Sequence, residues 1–303
     1  MNRQQGWLSV YKPIGLSSFS VVRKLKKKFG LNKIGHGGTL DPLAEGVLPI
    51  AIGKTTKLIP FINSDIKEYE FEIKWGEQTS TDDSEGKIIY HSKNIPLEKN
   101  IKSKLKEFTG EILQKPPKAS AIKINGTRAY KLFRDNQNFE IKEKKVQIYS
   151  SDLLKIFDKN LKAKIRISCG KGFYVRSFAR DFAESLDTKG HICSLKRTKV
   201  GKFTIKNANL LDDLLKIGQS LSEFKGFHKS SSMLDDILAY ELDSEKDKIS
   251  ISQGKSININ VKKLIYPLLD STDRKIVFLT EKGKVISFGK LLGDLFQPNK
   301  VLI

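Results

Sequence analysis

The chain has 303 residues and is poor in the side chains that build metal sites and disulfide frameworks. It contains only two cysteines, Cys169 and Cys193, and four histidines. The cysteines form no CxxC pair and the histidines are scattered, so the pattern predicts neither a zinc site nor a disulfide scaffold. We expect a protein that uses no metal and no other cofactor.

Long apolar runs are also missing. No stretch approaches the roughly 20 residues of a membrane-spanning helix, and the start, MNRQQGWLSVYKP, is too polar for a signal peptide. The apolar fraction of 39% is nevertheless enough for a hydrophobic core, which argues against global disorder. We predict a cytoplasmic protein with no membrane association.

Acidic residues are scarce, above all in the first sixty positions, where only Asp41 and Glu45 occur. The whole chain carries 55 basic and 34 acidic residues, which gives a formal net charge of +21. Such an excess attracts polyanions over long range, and it predicts a nucleic-acid partner whose binding weakens as salt rises. A lysine-rich proteome is the alternative explanation of the charge.

Apolar periodicity predicts strands at residues 7–11, 47–52, 69–75 and 161–169 and helices at about 17–29, 55–62, 96–108 and 174–186. Ser17 and Ser18 are the two candidates for the N-cap of the first helix. The last helix places Arg176 in its first turn, where the helix dipole disfavours a cation. Two interpretations of Arg176 follow: it has a buried carboxylate partner, or it is exposed and without a role. Beyond a predicted linker at 220–232, a hairpin at 275–288 together with 249–259 and 299–303 predicts a small all-β domain.

Two nucleotide-binding motifs are approached but not matched. Gly46 and Gly53-Lys54-Thr55 resemble a phosphate-binding P-loop, but six residues separate the two glycines where the phosphate cradle needs four. The glycines at positions 35 and 37 depart from the dinucleotide fingerprint because residue 40 is a leucine. ATPase and GTPase activities are therefore not predicted.

One acidic residue stands inside a glycine-rich segment, Gly35-His36-Gly37-Gly38-Thr39-Leu40-Asp41-Pro42. Glycines let a backbone approach a ligand closely and adopt positive φ. Pro42 restricts Asp41 to extended conformations, which fixes the direction of its carboxylate. The pattern is typical of a functional loop that receives a phosphate-bearing substrate, and a structural turn is the alternative.

The same segment, continued by LAEGVLPIAIGKTTKL, resembles the first motif of the TruB family of tRNA pseudouridine synthases. Further motifs similar to those of the family follow in order over residues 6–205: Lys67-Glu68-Tyr69 with Gly76-x-x-Thr79-x-Thr81-x-Asp83-x-x-Gly86; Gln114, Pro116-Pro117, Ser120-Ala121-x-Lys123 and Gly126-x-Arg128-Ala129-Tyr130; Lys171-Gly172-Phe173-Tyr174-Val175-Arg176-Ser177; and His191-x-x-x-Leu195-x-Arg197. Two positions depart from the family pattern, Phe173 in place of a commoner threonine and Asn136 in place of a frequent glycine. The C-terminal segment, which ends in Gln297-Pro298-Asn299-Lys300-Val301, resembles a PUA-type RNA-binding domain.

The resemblance implies an α+β fold. A catalytic domain would occupy residues 1–228 around a mixed, mainly antiparallel sheet, with an RNA-binding insertion at about 118–150, and a small PUA-like β domain would occupy 229–303. The implied reaction converts uridine 55 in the T loop of tRNA to pseudouridine, by cleaving the glycosidic C–N bond and rejoining the uracil through C5. The implied partner is the T arm of tRNA, no protein partner is required, and we expect a monomer.

The resemblance also implies a site. Asp41 would be the catalytic carboxylate, acting as a nucleophile at ribose C1′ or as a base at C2′, with Arg176 keeping it ionised and Tyr69 packing on the target base. The implied substrate-binding residues are His36, Gly37, Gly38, Thr39, Leu40, Tyr174, Leu195, Lys12 and Arg128. Among them, His36 takes part in extruding the base from its stack, a step that chemistry on a nucleoside inside a folded RNA requires.

Three other functions are weighed against this one. A non-catalytic tRNA-binding or tRNA-folding protein would tolerate the loss of Asp41, Tyr69 and Arg176, and all three are present. A guide-RNA-dependent pseudouridine synthase shares the motifs, but the chain lacks the basic extensions that we expect of one. An enzyme for a small phosphorylated metabolite fits the charge, but no phosphate-cradle motif supports it.

Overall fold

The protein is described here from a computed structural model. The structure describes residues 4–64, 66–216, 218, 221–224, 226–234, 237–265 and 276–303. The chain divides into two compact units. Unit 1 comprises Met1–Asp41, Val47–Asp65 and Gly201–Ile303, and unit 2 comprises Pro42–Gly46 and Ile66–Val200.

Strands predominate, and most of them are short. They are β1 (Gly6–Lys12), β2 (Ile34–His36), β3 (Ala44–Ile52), β4 (Lys67–Trp75), β5 (Glu77–Thr79), β6 (Ile88–His91), β7 (Gly110–Gln114), β8 (Lys123–Ile124), β9 (Thr127–Arg128), β10 (Lys144–Phe157), β11 (Lys162–Cys169), β12 (Gly190–Val200), β13 (Phe203–Thr204), β14 (Asn209–Leu210), β15 (Phe227–His228), β16 (Leu238–Glu241), β17 (Ile257–Asn258), β18 (Ile276–Glu281), β19 (Lys284–Leu292) and β20 (Leu295–Val301). The α-helices are α1 (Ser18–Lys28), α2 (Glu98–Glu107), α3 (Ala129–Arg134), α4 (Val175–Glu184), α5 (Leu211–Lys216) and α6 (Glu245–Ser252).

The sheet of unit 2 has the strand order β12-β4-β11-β10-β7, in which every neighbouring pair is antiparallel. The first three residues of β3 run parallel to β12. β4 alternates buried aromatic and aliphatic residues with half-buried charged ones, the pattern of a strand that is covered on one face. Helix α4 covers this face, and its Phe178 and Phe182 rings lie 5.7 Å from Phe71 and 6.0 Å from Trp75. The predicted mixed, mainly antiparallel sheet is confirmed.

The N-terminal sheet of unit 1 has the order β14-β1-β3, with β2 paired to β3 and β15 paired to β1. Helix α1 packs on it because Val21, Val22 and Leu25 fall on one side of the helix and enter the core. Ser17 caps the helix, since its side chain accepts the backbone N–H of Ser20 at 3.1 Å. The predicted helix and its serine cap are both confirmed.

A second sheet in unit 1 corresponds to the predicted C-terminal β domain. Its order is β16-β18-β19-β20-β17, and it encloses a core cluster of its own. The turn between β18 and β19 has positive φ at Lys282 (50°) and Gly283 (75°), as a two-residue hairpin of type I′ requires. Phe61 does not belong to this sheet but packs edge-on against two of its rings, Phe278 and Phe288, with ring centroids 5.2 and 4.8 Å apart.

Two helices differ from their predictions, one in its type and the other in the residue at which it begins. Residues 55–62 belong to a 3₁₀ helix, Gly53–Ser64, and not to an α-helix. Pro60 lies inside it and has no N–H to donate to an α-helical hydrogen bond. Helix α2 begins at Glu98 after its N-cap Leu97, so Pro96 precedes the helix and does not lie in its first turn as predicted.

The C-terminal predictions need two further corrections. Residues 249–252, which were predicted to belong to the β structure, form the end of helix α6. This helix forms because Ser244 caps its N-terminus and because Glu245 and Asp247 lie in its first turn, where the helix dipole favours acidic residues. The linker predicted at 220–232 lies partly outside the described residues, and its described part contains β15, which pairs with Trp7 and Leu8 of β1. Lys275 at the start of the predicted hairpin lies outside the described residues.

The boundaries predicted for the two domains, 1–228 and 229–303, stay predictions, as does the insertion at about 118–150. Within that range lie β8, β9, α3 and the first half of β10. In the part of the chain that the structure describes, no α-helix is long and apolar enough to cross a membrane.

Candidate active site

The glycine-rich segment begins with β2, which places His36 opposite Ile50 of β3. The N–H of Gly37 donates to the carbonyl oxygen of Pro49 at 2.8 Å. Gly38 has a φ of 124°, a conformation that other residues rarely adopt. Gly37 packs closely, because a Cβ at this position would displace the Cδ1 methyl group of Ile62. Gly38 therefore provides the positive φ, and Gly37 provides the close packing.

Helix α1 holds the backbone that leads to Asp41. Ser18, which is buried, donates its Oγ hydroxyl to the carbonyl oxygen of Leu40 at 3.0 Å and accepts the N–H of Leu40 at 2.8 Å. Leu40 is buried, Thr39 is exposed and Asp41 is half-buried. Asp41 therefore follows a fixed residue and keeps part of its surface in solvent. The sequence suggested only a capping role for Ser18 and missed this one.

Lys12, predicted to bind substrate, is fully buried at the end of β1. Its Nζ donates to the carbonyl oxygens of Pro13 at 3.0 Å and of Leu16 at 2.6 Å. These bonds fix the turn between β1 and α1. The binding role of Lys12 stays a prediction.

Tyr69 and Leu195, both predicted site residues, lie on neighbouring strands of unit 2. Tyr69 is buried on the same face of β4 as Phe71, and Leu195 of β12 stands directly opposite Phe71. Helix α4 runs over this face with Phe178 on Phe71 and Phe182 on Trp75. Its N-terminal end is therefore directed toward the Tyr69 end of the strand.

Arg176 lies in the first turn of α4 and is buried. Its Nη1 stands 3.4 Å from Oδ2 of Asp83, which is also buried, and donates to the carbonyl oxygen of Thr81 at 3.1 Å. Its Nη2 donates to the carbonyl oxygen of Ala119 at 3.1 Å. The expected buried carboxylate partner is thus present as Asp83, and the alternative of an exposed arginine is wrong. The predicted pairing of Arg176 with Asp41 stays a prediction.

The turn around Asp83 explains the spacing of the motif that contains it. The Thr81 hydroxyl donates to Oδ1 of Asp83 at 2.5 Å, and the N–H of Glu85 donates to the same oxygen at 3.0 Å. The Thr79 hydroxyl donates to the carbonyl oxygen of Asp83 at 2.6 Å. Both carboxylate oxygens thus have partners, as a buried charge requires. Asp83 belongs to the second family motif, but no role was predicted for it.

One turn further along α4, Arg180 forms a second network that the sequence did not predict. Its guanidinium lies 2.9 Å from carboxylate oxygens of both Asp82 and Asp181 and donates to the carbonyl oxygen of Lys115 at 2.9 Å. Burial raises the pKa of Asp181 to about 6, although Arg180 opposes the change. Burial likewise raises the pKa of Asp82 against the attraction of Arg180.

Helix α4 also holds the segment that leads into the predicted insertion. The backbone N–H of Tyr174 donates to Oε1 of Gln114 at 2.8 Å, and the Gln114 amide donates to the carbonyl oxygen of Tyr174 at 3.1 Å. Ser177 donates to the carbonyl oxygen of Lys115 at 2.8 Å. The predicted site residue Arg128 is exposed on β9, and its Nη1 donates to the carbonyl oxygen of Ala121. Tyr174, Arg176, Tyr69 and Leu195 are thus collected in one part of unit 2.

Neither a metal cluster nor a reactive thiol is found at the described positions. No group of three or more His, Cys, Asp and Glu residues there could hold a metal ion. Burial raises the pKa of the Cys169 thiol to about 12, so it is protonated at neutral pH and is not a nucleophile. Carboxylates, arginines and tyrosines are the reactive groups that the site offers.

Comparison with known proteins identifies the family. Residues 26–175 match the model of the "TruB family pseudouridylate synthase (N terminal domain)". The tRNA pseudouridine synthase B of Rhodospirillum rubrum is 37% identical over 297 residues, which cover 98% of this chain and 96% of that protein. The chain belongs to the TruB family.

Other TruB relatives agree. The tRNA pseudouridine synthase B of Rickettsia bellii is 38% identical over 296 residues, which cover 97% of each protein. The protein of that name from Wolbachia pipientis subsp. Culex pipiens is 47% identical over 211 residues, and the matched part spans 70% of this chain but only 60% of the length of that relative.

Solved structures share the TruB fold seen here. A chain in the crystal structure of the archaeal box H/ACA sRNP Nop10-Cbf5 complex matches with a TM-score of 0.73 and 21% identity, covering 99% of this chain and 87% of that one. A chain of a Cbf5-Nop10-Gar1 complex matches with a TM-score of 0.74 and 23% identity, covering 98% and 85%. At this identity the likeness concerns the fold, and it confirms the predicted α+β class.

Proposed function

We propose that the protein isomerises uridine 55 in the T loop of tRNA to pseudouridine. The observation that carries the proposal is the similarity, over 98% of this chain, to a tRNA pseudouridine synthase B. The net charge of +21 supports a polyanionic substrate. The reaction is an isomerisation, so it needs no electron donor and no external source of energy.

The chemistry breaks the C1′–N1 bond of the uridine and forms a C1′–C5 bond after the uracil has turned. Asp41 reacts with the ribose, either as a nucleophile at C1′ or as the base that removes the C2′ proton. The proton at C5 of the uracil is then removed and N1 ends with a proton, so the product is an isomer of the substrate. Asp41 is regenerated when the C1′–C5 bond forms, by release from C1′ in the first route or by return of the proton to C2′ in the second. Both routes require an ionised Asp41, and we propose that Arg176 keeps it so.

Arg176 is suited to this role because its position is fixed. Asp83 and the carbonyl oxygens of Thr81 and Ala119 hold its guanidinium from two separate segments of the chain. We propose that Tyr69 packs on the target base, that Tyr174 and Leu195 line the uracil pocket, and that His36 takes part in extruding the base. Residues Gly37, Gly38, Thr39 and Leu40 carry the backbone past the ribose, and Arg128 contacts the RNA. Lys12 is fully buried, so it takes part in substrate binding by holding the turn between β1 and α1.

The T arm of tRNA is the proposed partner. The RNA loop would be recognised by its shape and by its splayed bases, as is usual for RNA. We propose that the protein acts in the cytoplasm as a monomer, without a protein partner and without a cofactor.

The proposal is tested with a T-arm stem-loop transcript and three proteins: the wild type, Asp41→Asn and Glu45→Gln. Glu45 is the only other acid in the first sixty residues, and its carboxylate pairs with Lys196 at 2.8 Å, which makes it a matched control. We expect pseudouridine from the wild type and Glu45→Gln and none from Asp41→Asn, by mass spectrometry after chemical derivatisation.

Two results would overturn parts of the proposal. Equal product from the wild type and Asp41→Asn would remove Asp41 from the reaction. RNA binding by the wild type without any pseudouridine would favour the non-catalytic tRNA-binding function.

A further inference from the structure

We propose that the exposed side of helix α1 is a second RNA-binding surface, distinct from the catalytic loop. Its cations are Arg23, Lys24, Lys26, Lys27 and Lys28, which we call the α1 basic face. The inference rests on the proposed function, because the RNA is the same substrate. It goes further in assigning contacts with the phosphate backbone to residues that belong to none of the family motifs quoted above.

The α1 basic face has no acidic neighbour in sequence and no ion pair with the described part of the chain. No aspartate or glutamate occurs between Met1 and Leu40. All five cations are exposed, and none of them forms an ion pair with any residue that the structure describes. Helix α5 packs beside α1 through Leu211 and Leu214, yet its acidic first turn makes no ion pair with the α1 basic face.

Helix α2 shows the ordinary arrangement for comparison. It is of similar length and also rich in lysine, but Lys102 pairs with Glu98 and Lys104 with Glu107, each at 2.6 Å. Two of its four lysines are therefore paired within the helix, whereas no cation of α1 has an acidic residue in its own helix. The imbalance on α1 is a property of that helix and does not follow from the lysine content of the chain alone.

Repulsion within the α1 basic face destabilises the isolated helix. Arg23 and Lys27, and likewise Lys24 and Lys28, are four residues apart, and like charges at this spacing repel each other. Lysines in the last turn are favoured by the helix dipole, which accounts for Lys26, Lys27 and Lys28. The dipole does not account for Arg23 and Lys24, which lie one turn earlier. A bound anion offsets the repulsion of all five cations.

The position of α1 identifies that anion as the RNA that occupies the catalytic loop. Ser18 in the first turn of the helix holds both the N–H and the carbonyl oxygen of Leu40, the residue before Asp41. With 11 residues the helix is about 16 Å long. About five phosphates of one strand span that length. The α1 basic face therefore leads away from the catalytic loop on a scale that matches an RNA strand.

An exposed aromatic ring lies at the end of the helix next to the loop. Phe19 is 69% exposed and precedes Arg23 by one turn, on the same side of α1. A ring in such a position stacks on an unpaired base, while neighbouring cations bind the backbone, as in proteins that bind single strands. The side of α1 that faces solvent thus offers both kinds of contact that an RNA loop accepts.

The test compares the wild type with two triple variants that change the net charge equally. One replaces Arg23, Lys24 and Lys27 by glutamine, and the other replaces Lys99, Lys102 and Lys106 of α2 by glutamine. Binding of a fluorescent T-arm stem-loop is measured by anisotropy at several salt concentrations. We expect the α1 variant to bind about ten-fold more weakly at low salt, with a log–log salt slope that is shallower by about two. The α2 variant should match the wild type.

Folding and catalysis are read out separately. The α1 variant should unfold at the same temperature as the wild type or higher, because like-charge pairs have been removed, and its KM for pseudouridine formation should rise more than its kcat changes. Phe19→Ala should weaken binding without changing the salt slope, which tests the surface again if the triple variant folds poorly. Equal salt slopes for the two triple variants would overturn the proposal. If the α1 variant is destabilised, wild-type affinity of Phe19→Ala would overturn it instead.

The two proposals fail in different ways. If the wild type forms no pseudouridine, the proposed function is wrong, and the salt slopes still decide whether the α1 basic face binds RNA. If pseudouridine forms and the slopes agree, the enzyme stands and the second surface does not.

Discussion

Helices α4 and α1 are both amphipathic, and both carry cations close to residues of the proposed site. The cations of the two helices differ in burial and in their partners. On α4, Arg176 and Arg180 are largely buried, and each faces a buried carboxylate, Asp83 or Asp82. On α1, Arg23 and its neighbours are exposed and form no ion pair with the described residues. The first arrangement fixes the protein to itself, and the second leaves charge available to a partner.

The physical reason lies in solvation. A buried cation loses its hydration, so it persists only where carboxylates and carbonyl oxygens replace the water. Each arginine of α4 therefore ties the helix to the turn at residues 79–86 and to the segment at 115–119. An exposed cation keeps its hydration, contributes little to folding, and gains free energy when it releases counterions from a nucleic acid.

The largest effect is expected for Arg176→Met, which removes the cation and keeps much of the volume. Asp83 would be left as a buried charge without its guanidinium partner, which costs about 3 kcal/mol in the free energy of unfolding. Pseudouridine formation should fall severely as well. The control is Arg166→Met, whose pair with Glu70 is partly exposed and should be worth about 1 kcal/mol or less. Equal losses in urea unfolding would break the distinction between buried and exposed pairs.

A somewhat smaller loss, about 2 kcal/mol, is expected for Arg180→Met, because the Arg180 and Asp181 side chains keep some contact with solvent. A double-mutant cycle of Arg180→Met and Asp82→Asn should give a coupling energy of about 1 to 2 kcal/mol. The measurement is urea unfolding of the four proteins. Additive losses would show that the two side chains do not act as a pair.

The pH dependence of stability should change in Asp181→Asn. Burial raises the pKa of Asp181 from its ordinary value of 3.8 to about 6, so between these values the folded protein holds a proton that the unfolded chain releases. The contribution of Asp181 to stability is therefore greatest below about pH 4 and is lost as the pH rises through 6. Asp82, whose pKa is also raised, acts in the same direction.

Asparagine at position 181 cannot ionise, so the loss of stability that accompanies ionisation of Asp181 disappears. The protein should then be more stable at pH 7 by about 1 to 2 kcal/mol, less than the full shift would give because the carboxylate is partly exposed. Urea unfolding between pH 4 and 7.5 measures the slope, with Glu184→Gln on the same helix as the control. A steeper loss of stability with rising pH in Asp181→Asn would contradict the assignment.

The smallest effect on folding is expected on α1. Replacing Arg23, Lys24 and Lys27 by glutamine should change the free energy of unfolding by no more than about 0.5 kcal/mol, in contrast with the single arginine changes on α4. A loss of 2 kcal/mol or more, measured in the same urea experiment, would mean that these cations also serve the fold.

Local patterns accounted for the elements that carry the site. The alternation in β4 and the apolar stripe of α4 were predicted from spacing alone, because each reflects one covered face. The serine cap of α1 was predicted for the same local reason. The 3₁₀ helix Gly53–Ser64 and helix α6 were missed, since Pro60 and the capping Ser244 outweighed the apolar spacing on which those predictions relied.

The partners of the charged side chains could not be predicted in this way. Arg180 and Asp82 are 98 residues apart in the chain, and Ser18 and Leu40 are 22 apart. Periodicity describes which face of an element is covered but not which distant loop covers it. Asp83 was visible as part of a motif, and its contact with Arg176 was not.

The amino-acid sequence by itself determined the family and the fold class, because the glycine-rich segment and the later motifs consist of contiguous residues. The same segment predicts Asp41 as the reactive carboxylate. It also determined the excess of cations on α1. Only the tertiary structure decided that Arg176 and Arg180 are locked by Asp83 and Asp82, and that Ser18 fixes the backbone before Asp41. Those contacts depend on where the chain returns after long excursions, which is governed by packing of the whole unit and not by local propensity.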